Sequence, residues 1–247
     1  MFDDAATIAT IVGTFLLAGG VKGVIGLGLP TISLAVLTVA LDLASAMALL
    51  LIPSLVTNFW QGLVGGQALM LCRRLWPFML TATATVFVGG RIFASLDHVV
   101  LATLLGVLIM AYGAVSLAGW RPRMTPAQDR WVGPTAGIIN GVLTGMTGSF
   151  VVPGVIYLNA LGLTRDALVQ AMGILFTLAT LALAVSLGGG GYLTTDLGLG
   201  SLLGLAPALV GMWAGQRIRQ RLSAEAFRRV FFSALLALGL YIVIGGA

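Results

Sequence analysis

The chain of 247 residues holds a single lysine, Lys22, which sits beside a glycine-rich run (Gly23, Gly26, Gly28) inside an apolar stretch. A lysine at bilayer depth costs roughly 2.5–3.5 kcal/mol on insertion scales, and such residues commonly mark a pathway or a binding site. The ordinary alternative is snorkelling, in which the four-carbon stem carries the ammonium out to the interface. Residue type and position leave both open. Glycine tolerates positive φ and lets backbone approach a ligand closely. A helix restarting after such a break presents free N–H groups and a positive dipole end, which suit an anion. A second run of the same kind, Asn140, Gly141, Thr144, Gly145, Thr147, Gly148 and Ser149, lies in the other half of the chain. Pro30 and Pro153 stand near each restart, where a missing N–H costs little. The same glycines would equally serve tight helix packing, since small residues are common at helix contacts in membranes.

Other polar side chains inside apolar runs are candidates for an oxyanion or for a neighbouring helix. Asn58 and Gln61 lie three apart on one helix face, and Gln170 and Thr177 share a face further along. Interhelical hydrogen bonds of this kind average about 0.6 kcal/mol in membrane interiors. Asp97 and Ser223 occupy equivalent places just before an apolar helix, and both are good N-cap residues. Asp166, next to Thr164 and Arg165, marks another helix start. His98 stands at a predicted boundary, and Cys72 abuts Arg73 and Arg74 with no partner base in view. One cysteine and one histidine exclude a disulfide framework, a CxxC site and a His-rich metal centre. There is no HExxH, no Walker-type phosphate loop and no Ser-His-Asp set, so neither an enzyme nor a cofactor is expected.

The elements that must position these residues are membrane helices. Apolar residues make up 59% of the chain and charged ones only 9%, with a mean hydropathy of +1.06. Soluble proteins run near 45–50% apolar and 25% charged. The net charge of +5 is confined to short loops between apolar runs, which speaks against a nucleic-acid partner. The first residues, Met1-Phe2-Asp3-Asp4, carry no basic n-region, so the first segment reads as an uncleaved membrane helix. A spanning helix needs about 20 apolar residues. Eight main segments are 5–20, 44–64, 75–90, 99–119, 132–147, 168–187, 197–215 and 230–244, and two short ones are 32–41 and 150–161. Each short segment follows a glycine-rich run, and Gly/Pro-interrupted segments at matching places in two halves point to a transporter's site.

The halves match in order. The run 22–30 parallels 140–148, which pairs Lys22 with Asn140; 40–43 parallels 160–163; and 89–97 parallels 215–223. If the two glycine runs are re-entrant hairpins, then Arg73, Arg74, Arg121, Arg123, Arg130, Arg165, Arg217, Arg219, Arg221, Arg228 and Arg229 fall on one side and only Arg91 on the other. That bias is what the positive-inside rule produces. The expected fold is an all-α polytopic membrane protein of two inverted repeats, each a broken re-entrant hairpin plus three transmembrane helices. The repeats are 1–119 and 131–247, joined by a cytoplasmic linker 120–130, with both termini outside a bacterial-type plasma membrane.

The paired glycine-rich breaks, each followed by a proline and an apolar run, resemble the sulfite exporter TauE/SafE family of membrane permeases. So does the Gly-x-Arg-Ile…Leu segment at 89–96 and 215–222. The first break reads Gly26-Leu27-Gly28-Leu29, where the family often has three consecutive glycines, and the second reads Gly148-Ser149-Phe150. The resemblance implies a transporter of sulfur-containing anions such as sulfite, sulfoacetate and other organosulfonates. Lys22 would supply a point charge and the hairpin N–H groups directional donors for the three oxygens of a sulfonate. Alternating access, driven by a proton or sodium ion, is the expected mechanism. An anion channel and a membrane subunit handing sulfur compounds to an enzyme are the rivals, and a homodimer is compatible with the many small residues.

Overall fold

A computed structural model describes residues 4–120, 122–221 and 223–245; Met1, Phe2, Asp3, Arg121 and Leu222, all named above, lie outside the described residues. All regular structure among the described residues is helical. The helices are α1 (Ala5–Ile25), α2 (Leu29–Ala40), α3 (Leu43–Leu49), α4 (Leu51–Leu63), α5 (Ala68–Ala84) and α6 (Val86–Phe93), then α7 (His98–Leu117), α8 (Pro126–Thr147), α9 (Gly154–Ala160), α10 (Arg165–Gly189), α11 (Thr195–Ile218) and α12 (Ala224–Gly245). Their starts are set by short polar side chains. Asp4, Asp42, Asp97, Thr125, Thr164 and Thr194 each accept a hydrogen bond from a backbone N–H two or three residues on. Ser223 Oγ accepts from the Ala226 N–H in the same way, so Asp97 and Ser223 both do the capping expected of them. At the third start the cap is Thr164, and Asp166 lies inside the first turn. Each such cap is worth about 1 kcal/mol.

Six helices are long and apolar enough to cross a membrane, or seven if α3 and α4 together count as one broken span. Eight main segments were expected. Segment 44–64 crosses only as the broken α3–α4 pair, and 132–147 falls short; it is now part of α8, whose first turns carry Gln128, Asp129 and Arg130. The segment 75–90 extends instead, into a 28-residue span Ala68–Ser95 through the join of α5 and α6. Both short segments stay short. The 12 residues of α2 rise about 18 Å and the seven of α9 about 10 Å, well under a bilayer core of about 30 Å.

Packing divides the chain into two compact units, each drawn from both sequence halves: 1–53, 97–120 and 191–247 form one, and 54–96 with 121–190 form the other. In the first, α1 lies along α11 and α7 along α12. Gly19 and Gly23 of α1 face the backbone of Ala208, Met212 and Gly215, while Gly211 and Gly215 face Leu16 and Gly20 in return. A β-carbon at Gly19, Gly23, Gly211 or Gly215 would collide with a carbonyl oxygen of the facing helix. The start of α4 also belongs here. Pro53 has no N–H to give the α3 carbonyls, and the Ile52 N–H goes to Ser201 Oγ on α11 at 3.0 Å, which accounts for the break at Leu50.

In the second unit α8 lies along α5 and α6. Gly137, Gly141 and Gly145 of α8 face the backbone of Phe78, Ala82, Val86 and Gly89, and Gly89 faces Val142. The two helix pairs share one contact register. Gly19 on Ala208 and Gly23 on Met212 in one unit match Gly141 on Ala82 and Gly145 on Val86 in the other. This is small-residue packing of the kind membrane helices use where dispersion replaces the hydrophobic effect.

Replacing Gly19 by Ala should therefore lower thermal stability in detergent by about 1–3 kcal/mol, the usual cost of overpacking. Gly13, on the same helix, has open space where a β-carbon would sit, so Gly13→Ala should be neutral or mildly stabilising. Equal melting temperatures for the two variants would contradict the close approach of α1 and α11.

Candidate functional site

Each unit contains one helix break built on glycine. In the first, α1 ends at Gly26 with φ 83°, whose N–H donates to the Lys22 carbonyl at 2.7 Å, and Gly28, with φ 111°, begins α2. Other L-residues take up such left-handed backbone at a cost of about 1–2 kcal/mol, so the two glycines make the break affordable. No side chain caps α2. The first-turn N–H groups of a helix have no intrahelical partner, and here they belong to Leu29 and Thr31 because Pro30 has none. Lys22 lies in the last turn of α1 and is only 3% exposed. Snorkelling along the lipid-facing surface would leave its stem exposed, and the buried position does not fit that. The side chain is enclosed by protein within one turn of a break. Thr31 is buried close by in sequence, while Ser33 turns its hydroxyl to the Leu29 carbonyl at 2.7 Å and is used within the helix.

In the second unit α8 ends at Gly148, φ 71°, whose N–H donates to the Thr144 carbonyl at 2.7 Å. The four-residue bond matches that from Gly26 to Lys22. By this bond and by the glycine contacts, Lys22 corresponds to Thr144, one turn beyond the Asn140 that sequence matching paired with it. Thr144 Oγ1 donates to the Ser149 carbonyl at 2.9 Å, Thr147 Oγ1 to the Leu143 carbonyl at 2.8 Å, and the Ser149 N–H to Thr147 Oγ1 at 3.3 Å. Asn140 Oδ1 accepts the Gly154 N–H at 2.9 Å, so the first amide of α9 is already taken and this restart is not an open N-terminus. That bond also fixes which way the carboxamide points. Asn140 Nδ2 and Ser149 Oγ are left buried without a protein partner. Buried polar groups are almost always hydrogen-bonded, so these two stand out on the α8–α9 segment.

The remaining expected residues divide by role. Gly23, Gly141 and Gly145 have their α-carbons covered by facing helix backbone, which makes them packing residues of α1 and α8. Gln170 is fully buried and bonded at both ends: its Nε2 donates to the Gly62 carbonyl at 3.0 Å and its Oε1 accepts the Gln67 N–H at 3.0 Å. Gln61 Nε2 donates to the Val169 carbonyl at 2.8 Å. These bonds and the contact of Gly62 with Gly173 fasten the end of α4 to α10. Thr177 bonds back to the Gly173 carbonyl within its own helix. Asn58 is fully buried on α4.

Sequence reasoning missed two residues beside Asn58. Ser54 and Thr57 are also fully buried, and with Asn58 and Gln61 they run along α4 at positions i, i+3, i+4 and i+7. Val56, Phe59, Trp60 and Leu63 of the same helix are exposed. The helix is thus amphipathic with its polar face inward, and that spacing was available in the sequence as the signal. Among the described residues no group of three or more His, Cys, Asp or Glu side chains gathers to hold a metal. Cys72 is exposed, and His98 is the first residue of α7. Among the described residues, the buried polar side chains are Lys22 and several hydroxyls in the first unit, and further hydroxyls with the fully buried carboxamides Asn58, Asn140 and Gln170 in the second. Groups of these types can donate hydrogen bonds to an oxyanion.

The family model described as sulfite exporter TauE/SafE matches residues 11–242, nearly the whole chain. No curated protein matches the chain, and no solved structure does. The second break makes its own prediction. Asn140→Leu strips the Gly154 amide of its acceptor and should cost about 1–3 kcal/mol of stability. Ser149→Ala removes no bond between the hydroxyl and protein and should leave ligand-free stability nearly unchanged. Matched losses in melting temperature would show that the Ser149 hydroxyl has a protein partner.

Proposed function

The chain belongs to the sulfite exporter TauE/SafE family, and from that premise we propose a secondary transporter for small anions, most specifically sulfur oxyanions and organosulfonates of the sulfite and sulfoacetate type. The observation that carries the anion is Lys22, the one lysine of the chain, buried within a turn of a glycine-built helix break. A lysine enclosed by protein in a chain with 9% charged residues is costly to keep, and an anionic ligand offsets that cost. The first-turn amides of α2 add directional donors. Asn140 Nδ2 and Ser149 Oγ supply neutral donors at the second break. Gly26, Gly28 and Gly148 hold the backbone open at the two breaks.

The transporter exposes its site to one side of the membrane at a time, with a proton or sodium ion as the coupling species. The arginine distribution supports two repeats of opposite topology, 1–119 and 131–247 about a cytoplasmic linker 120–130, in a bacterial-type plasma membrane with both termini outside. The shared glycine register of α1 with α11 and α8 with α5–α6 supports the repeat itself. A homodimer is compatible with this arrangement.

Ligand-dependent thermal stabilisation at fixed ionic strength tests the substrate class. The panel is sulfite, thiosulfate, sulfoacetate, taurine, sulfate and carboxylates of matched size, on wild type and Lys22→Gln. A ligand at 100 times its Kd stabilises by about 2.7 kcal/mol. Wild type should respond selectively to one sulfur oxyanion or sulfonate, and Lys22→Gln should lose that response. A flat response to every anion would overturn the assignment.

A further inference from the structure

We propose that the turn joining α11 to α12 is a docking surface for the headgroups of anionic phospholipids in the surrounding bilayer. Between residues 217 and 229 the chain carries five arginines and one acidic residue, Glu225. The arginines do not all do the same thing. Arg228 and Arg229 both pair with Glu225, at 3.0 and 2.9 Å, and Arg228 also donates to the Ser116 carbonyl in the last turn of α7. Both are engaged with Glu225 within the first turns of α12, and Arg228 also ties α12 to α7.

Arg217, Arg219 and Arg221 are different. All three are exposed, and among the described residues no carboxylate pairs with any of them. Arg219 and Arg221 belong to a 3₁₀ turn, Arg219–Arg221, directly between two helices long and apolar enough to cross a membrane. The turn is therefore held at a membrane boundary by the spans on both sides of it. The depth is marked by Trp213, one turn back along α11, exposed and 4.3 Å from the Arg217 guanidinium, which lies over its ring. Tryptophan prefers the headgroup level of a bilayer. The cation–π contact fixes Arg217 at that level, and the 3₁₀ turn carries Arg219 and Arg221 onward from it.

Guanidinium groups donate in a planar fork that fits phosphate oxygens two at a time. Three of them, uncompensated and at headgroup depth, match the phosphodiesters of a negatively charged leaflet. The turn packs against the end of α1, next to the first break, but it uses none of the residues assigned to the anion, and the proposal holds whether or not the transported anion is a sulfur compound. Topogenic bias alone explains why arginines lie on this side; it does not require three of them to be left without a carboxylate beside an interfacial tryptophan.

Native mass spectrometry of the full chain, released from detergent with equimolar phosphatidylglycerol and phosphatidylcholine of identical acyl chains, tests this. Each surface arginine is worth about fivefold in attraction to an anionic leaflet, from roughly 1 kcal/mol per residue. Wild type should retain phosphatidylglycerol in preference, and the Arg217→Gln, Arg219→Gln, Arg221→Gln triple variant should lose at least about fivefold of that preference. Arg73→Gln with Arg74→Gln, which removes two exposed arginines elsewhere, should keep most of it. If the triple variant does not fold, wild type in about 1 M salt serves instead, where screening shortens to about 3 Å and the preference should collapse. Equal retention of the two lipids by wild type, or an equal fall in both sets of variants, would overturn the proposal.

Discussion

A helix that breaks inside hydrocarbon must find partners for its backbone within the protein, because lipid offers none and each unsatisfied group costs several kcal/mol. The two breaks satisfy their backbone with the same first step and different second ones. Gly26 and Gly148 both turn left-handed and return an N–H to the carbonyl four residues back. After Gly148 the chain is tied down at once, by Thr144, Thr147 and the Asn140 carboxamide. After Gly26 the restart at α2 has no side-chain cap, and the charged residue of the region is Lys22. One break is satisfied by neutral side chains with two donor groups to spare; the other combines open amides with a cation.

Close packing makes the breaks tolerable. The glycines of α1 and α8 nearest the breaks, Gly23 and Gly145, are pressed against the backbone of α11 and of α5–α6. Backbone at that distance excludes lipid from the last turn before each break. The glycine-rich runs therefore do two jobs that a sequence cannot separate by composition. Gly23, Gly141 and Gly145 serve packing, while Gly26, Gly28 and Gly148 serve conformation.

Much of this was legible beforehand. All-helical membrane architecture followed from composition, the short α2 and α9 from the glycine and proline positions, and the caps at Asp97 and Ser223 from residue type and place. The pairing of Lys22 with Asn140 was one turn out, because runs of apolar residues and glycine look alike after a shift of four. Only the cap bonds and the facing backbones set the register. Ser54 and Thr57 were passed over because single hydroxyls are common in membrane helices; their helical spacing with Asn58 and Gln61 was the usable signal. Gln61 and Gln170 bond to backbone across helices, and no spacing within one helix discloses a partner on another.

The most direct test of an anion held at the Lys22 break is exchange of labelled sulfite in proteoliposomes preloaded with unlabelled sulfite. Wild type should show saturable exchange that internal sulfite accelerates, and Lys22→Gln should slow it at low substrate by at least about tenfold, equivalent to about 1.4 kcal/mol. Undiminished exchange in Lys22→Gln, or anion current that does not saturate, would contradict the account.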